Sequence, residues 1–92
     1  MEFDWDDIKA VRNLAKHKVS FEEAASVFDD ESAMFILDGD HSEFEDRYRL
    51  LGFSNRARLL VVTHTNRGPV VRIISARKAT KHEGRNYEQN RP

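Results

Sequence analysis

Arg58-Leu59-Leu60-Val61-Val62-Thr63-His64, then Asn66-Arg67-Gly68-Pro69, then Val70-Val71-Arg72-Ile73-Ile74-Ser75: this stretch decides the fold. Two β-branched apolar runs flank a turn rich in Asn, Gly and Pro, the pattern of an antiparallel hairpin. The first run has the character of a central strand. Upstream, strand character from Asp46 to Phe53 is joined to the hairpin by a turn at Ser54-Asn55-Arg56. Ala33-Met34-Phe35-Ile36-Leu37 is a shorter apolar run, followed by the turn signal Asp38-Gly39-Asp40.

The ends of the chain read as helices. Ile8, Val11, Leu14 and Ala15 recur at three- and four-residue spacing, which marks an amphipathic helix to about Lys16, capped by Asp6 or Asp7. Ser20 opens a second helix with an apolar stripe of Phe21, Ala24, Ala25 and Phe28, and Glu23 completes a capping-box pattern. Phe3-Asp4-Trp5 reads as a short first strand. Thr80 and Glu83 form a second capping box ahead of a last helix, weakened by Gly84. The expected fold is therefore α+β: a curled antiparallel sheet of about four strands, two N-terminal helices and one C-terminal helix. One domain should span residues 1–92, with 88–92 a frayed tail.

Composition narrows the function. With 92 residues the chain suits a single small domain, and a partner covering apolar surface would add to its modest stability. The absence of cysteine excludes disulfides, thiol nucleophiles and thiolate–zinc sites. The acidic start, Met1 to Asp7, lacks the basic and apolar regions of a signal peptide, so the cytoplasm is the expected compartment. The net charge of -1 hides a division: residues 1–46 carry -10 and residues 47–92 carry +9. Such a division can set a basic surface beside an acidic one.

Several residues stand out against this background. A charge inside Val-Val-Arg-Ile-Ile must reach solvent or find a buried partner, and Glu45 is an available one for Arg72. Strand alternation sets Arg72 and Arg77 on opposite faces unless the strand bends near Ser75-Ala76. His64 shares a face with Leu60 and Val62 and is either a proton-transfer group or a satisfied structural residue. Lys16 and His17 end the first helix, where the helix dipole by itself favours cations. Trp5 suits stacking on a base or packing beside Phe3. Asp38-Gly39-Asp40-His41 has metal-ligand residue types without a metal-ligand spacing.

These residues also carry a family likeness. Phe3-Asp4-Trp5-Asp6, Lys9, Asn13 and Lys16 to Ala24 resemble the opening signature of the BrnT toxin family. Asp40-His41-Ser42, Glu45 and Arg47 match its middle. Val62-Thr63-His64-Thr65, Arg72 to Arg77, Ala79-Thr80, Glu83 and Tyr87 match its end. Lys18, where glycine is more usual, and Gly84, where a helix former is, depart from the pattern.

The resemblance implies a RelE-like fold and a ribonuclease that blocks translation. It also implies neutralisation by a BrnA-type antitoxin with a ribbon-helix-helix domain, through which alone operator DNA would be met. On that reading the protein forms a hetero-oligomer, takes RNA as substrate, and needs no cofactor, metal or membrane. Metal-free cleavage requires a base for the 2′-hydroxyl, cations for the charge on phosphorus and an acid for the leaving oxygen. Arg72 and Arg77 would hold the phosphate. Lys16 or His64 would move protons, while Arg47, Tyr87 and Trp5 would position RNA. Two alternatives stand beside it: a non-catalytic RNA- or ribosome-binding module that uses the same arginines, and a corepressor subunit whose only work is to assemble with a DNA-binding partner.

Overall fold

The computed structural model describes residues 1–36 and 46–91. Leu37, the turn at Asp38 to His41, Ser42 and Glu45 lie outside the described residues, and so does any pairing of Arg72 with Glu45. The elements follow in the order β1 (Glu2–Asp4), α1 (Asp7–His17), α2 (Phe21–Ser26), a 3₁₀ turn (Val27–Asp29), β2 (Met34–Ile36), β3 (Tyr48–Phe53), β4 (Leu59–Arg67), β5 (Val70–Lys78) and α3 (Lys81–Asn90). The helix α3 thus continues into the stretch read as a tail.

The strands form one sheet in the order β1-β5-β4-β3-β2, with β4 at its centre. Four strands run antiparallel as the sequence predicts. The first joins differently: β1 lies parallel to β5, with Glu2 opposite Val70 and Asp4 opposite Arg72. A parallel pair needs a long crossover, and here the whole of the chain between them provides it. The β4–β5 hairpin closes on Gly68, whose φ of 59° opens a two-residue turn of the kind that matches strand twist.

Alternation along the strands divides the sheet into two faces. Leu50, Leu60, Val62, Ile73 and Ala76 turn towards α2 and pack with Val19, Phe21, Ala24 and Val27. Leu51 and Val61 turn the other way and pack with Tyr87 of α3. In β5, Ile73 and Ala76 share a face although three residues apart. The register explains it: adjacent Thr63 and His64 of β4 oppose Ser75 and Ile73, leaving Ile74 as an extra residue in a β-bulge.

Asn13 fixes α1 against this sheet. It is the one residue of α1 that is buried. Its amide nitrogen donates to Val19 O at 2.9 Å and Ala76 O at 2.8 Å, and its oxygen accepts from Ala76 N at 3.1 Å. The edge of β5 beyond Arg72, where β1 has ended, is thereby satisfied by a side chain. The rotation this imposes turns the stripe at Ile8, Val11 and Leu14 outward, leaving those side chains 64%, 70% and 50% exposed. Periodicity identifies the helix, but the side that meets the sheet is that of Asn13 and Ala10, not the apolar stripe.

The caps follow the sequence. Asp6 accepts from Ile8 N and Lys9 N, and Ser20 accepts from Glu23 N. The Glu23 carboxylate has another task than a capping box. It is buried, accepts from Ser54 Oγ at 2.7 Å and Arg58 Nε at 2.9 Å, and ties α2 to the β3–β4 turn. The guanidinium beside it holds its pKa below the usual carboxylate value. Lys18 ends α1 with φ 61° and ψ 31°, a left-handed cap that glycine would adopt without strain.

Replacing Asn13 by Ala leaves the buried N–H and C=O of Ala76 without partners, so the unfolding free energy in urea should fall by on the order of 3 kcal/mol. Asn13→Asp should fail similarly, because a carboxylate cannot donate to two carbonyls. Gly84→Ala should act oppositely. A Cβ there meets only Leu59 Cδ2, at an ordinary 3.8 Å. Helix propensity then predicts a gain of about 1 kcal/mol, read as a raised urea midpoint.

Candidate nucleic-acid interface

The bulge at Ile74 changes the parity of β5. Arg72, flanked by the buried Val71 and Ile73, faces away from α1 and α2. Arg77, beyond the bulge, faces the same way and meets α3. The two arginines that simple alternation separates therefore share a face. Cross-strand neighbours extend that face: Thr65 opposite Arg72, and Thr63 between Arg49 and Ser75. Arg47 stands exposed just before β3, at the end of the sheet where Arg72 lies. Neighbouring strands are about 5 Å apart, so guanidinium groups rooted on β3 and β5 span roughly one to two nucleotides of RNA backbone.

Both β5 arginines have carboxylate partners. Arg72 Nη1 lies 3.3 Å from Asp4 Oδ2, a pair about one-third to one-half exposed that is worth little against solvent. Asp4 lies directly opposite Arg72 in the β1–β5 register. Arg77 is held more tightly. It donates to both oxygens of Glu83 at 2.8 and 2.9 Å, and Glu83 also accepts from Thr80 N at 2.8 Å. The Arg77 guanidinium, together with the helix cap, pushes the Glu83 carboxyl down to about 2. One carboxylate therefore caps α3 and fastens it to β5.

The remaining candidates lie elsewhere. His64 is on the opposite face, buried, with Phe28 edge-on at 4.9 Å and Tyr48 stacked at 5.8 Å. Burial lowers its pKa and keeps the imidazole neutral, and Val62 O is its one polar contact among the described residues, at 3.3 Å. That is the setting of a structural histidine, out of reach of Arg72 and Arg77. Tyr87 is also core: it is buried, packs edge-on to Phe53 and donates to Asp30 Oδ2 at 2.7 Å. Trp5 is half-buried, edge-on to Phe21 at 5.9 Å, and belongs to the main core. Lys16 and His17 line a cleft of about 300 Å³ with Lys9, Arg12, Ile74 and Ser75, between α1 and the edge of β5.

One residue without a signal in the sequence enters here. His82, in the first turn of α3, is exposed and lines a cleft of about 350 Å³ with Phe35, Ile36, Glu83 and Asn86. It neighbours the Arg77–Glu83 clasp and has an imidazole that can give and take a proton. Only the strand–helix geometry brings it to the arginine face.

The clasp makes stability depend on pH. A carboxylate whose folded pKa is depressed stabilises the fold above its unfolded value and loses that contribution as pH falls towards the folded one. For Glu83 the window runs from 4.5 down to about 2. Denaturation midpoints of wild type and Glu83→Gln should therefore differ most above that window and converge within it.

Comparison with known proteins bears on this geometry. Residues 5–83 match the family model described as ribonuclease toxin, BrnT, of type II toxin-antitoxin system. The 1.1 Å crystal structure of the Brucella abortus ribonuclease toxin BrnT superposes with a TM-score of 0.68 at 25% identity, covering 88% of this chain and 99% of that one. No curated protein matches. The family match spans most of the chain, and the fold agrees with it: the chain belongs to the BrnT ribonuclease toxins of type II toxin–antitoxin systems.

Proposed function

We propose that the arginine face of the sheet is where this chain binds and cleaves RNA, with no metal in the reaction. The observation that carries the proposal is the bulge at Ile74, which puts Arg72 and Arg77 on one face beside α3. The 2′-oxygen attacks the adjacent phosphorus and gives its proton to a base. The P–O5′ bond breaks, and the leaving oxygen takes a proton from an acid. The products are a 2′,3′-cyclic phosphate and a 5′-hydroxyl.

Arg72 is the phosphate ligand in this scheme. Its exposed pair with Asp4 is weak, a guanidinium fork matches two phosphate oxygens, and the negative charge on those oxygens grows in the transition state. Arg77 supplies a second cation at the rim, and its fork is shared with Glu83. His82 replaces His64 as the proton-transfer group, because it is exposed on α3 beside the clasp. Lys16 lies in the cleft between α1 and the edge of β5 and takes no part in the proton transfers. Arg47 positions RNA at the open end of β3, while Tyr87 and Trp5 hold the core.

The activity would halt translation by destroying RNA in the cytoplasm. A BrnA-type antitoxin with a ribbon-helix-helix domain would neutralise it and bring it to operator DNA.

The test uses the purified chain, RNA and EDTA. Cleavage that survives chelation and yields cyclic phosphate ends is the expected result. Arg72→Ala should slow it by about 100-fold, the usual scale for losing one oxyanion-stabilising cation, with an unchanged urea midpoint. His82→Ala should lower the rate and alter its pH profile. RNA that stays intact while still binding would favour the non-catalytic module instead, and undiminished cleavage by Arg72→Ala would remove the arginine from the mechanism.

A further inference from the structure

We propose that the outward face of α1 is the docking site for an amphipathic helix of the antitoxin, one with an apolar stripe and an acidic flank. This rests on membership of a toxin–antitoxin family, not on the cleavage chemistry above. Ile8, Val11 and Leu14 are half to two-thirds exposed, and no element of the described residues covers them. At 100° per residue they form one continuous stripe about two turns long. A monomer seldom exposes three large aliphatic side chains in a row on a rigid helix without a partner for them.

The charges say which partner. Lys9, Arg12 and Lys16 fall within about 60° of one another along one side of the stripe. They line the cleft of about 300 Å³ between α1 and the edge of β5. The one acid of α1 is Asp7, in the first turn, where the helix dipole favours it. An incoming helix that buries apolar side chains on the stripe therefore meets cations along that border, and acidic residues on its flank would answer them. RNA offers nothing to cover Ile8, Val11 and Leu14. A second copy of this chain fits poorly: two α1 helices packed antiparallel set the same basic flank against itself.

The site lies on the helix side of the sheet, away from Arg72 and Arg77. Docking there anchors the antitoxin without using the residues of the proposed cleavage site. Variants on the stripe should consequently lose the antitoxin and keep the toxin's own properties.

The experiment measures binding of the antitoxin encoded with this chain, by calorimetry, to wild type, Val11→Asp, Leu14→Asp and the double charge reversal Arg12→Glu/Lys16→Glu. Circular dichroism confirms that each variant folds. Either apolar-to-acid change should weaken binding by about 100-fold, the scale of a buried interface anchor. The charge reversal should weaken it by about 10-fold and flatten its salt dependence. Wild-type affinity in both stripe variants overturns the proposal. So does a free toxin that sediments as a dimer and becomes monomeric on Val11→Asp, which would give the face to a second copy. The readout needs no RNA, so an inactive toxin that still binds its antitoxin through α1 leaves this inference standing while removing the cleavage mechanism.

Discussion

The carboxamide of Asn13 holds the two layers of this protein in register. One buried side chain both donates to and accepts from the backbone of Ala76, and reaches Val19 O as well. It does for β5 what a neighbouring strand would do, at the point where β1 has run out. An edge with unpaired backbone groups under a helix would be costly; here a side chain removes the cost and sets the rotation of α1 at the same time. The outward turn of Ile8, Val11 and Leu14 follows, and so does the basic cleft between α1 and β5. Ala10 adds an apolar contact with the core, and the directed hydrogen bonds of Asn13 set the position of α1.

Much of the fold is legible in local chemistry. The strands β3, β4 and β5 announce themselves by β-branched runs, the caps at Asp6, Ser20 and Thr80 by residue type, and the hairpin by Gly68-Pro69. What is not legible is non-local. The parallel union of β1 with β5 depends on residues nearly seventy positions apart. The task of Glu23 depends on Arg58, which no spacing rule connects to it. The outward stripe of α1 misleads because periodicity reports an apolar face without saying what that face meets.

The candidate site was half legible for the same reason. Arg72 draws attention as a charge in an apolar strand, and it is on the proposed face. Its companionship with Arg77 depends on a one-residue bulge, and alternation read from sequence predicts the opposite. His64 and Tyr87 carry functional side chains in strongly structural surroundings, visible only once Phe28, Tyr48, Phe53 and Asp30 are placed around them. His82 gave no signal because nothing in its neighbours along the chain marks it.

The parallel pairing of β1 with β5 has a consequence for the order of events at birth. Glu2, Phe3 and Asp4 are made long before the strand that receives them, Val70 to Arg72. Closing so long a loop is entropically slow and cannot begin early. Arg72, its neighbour Asp4, and the clasp between Arg77 and Glu83 thus come together only after β5 has been made. No fragment that stops short of β5 can therefore present the arginine face, since Arg72 and Arg77 both belong to that strand.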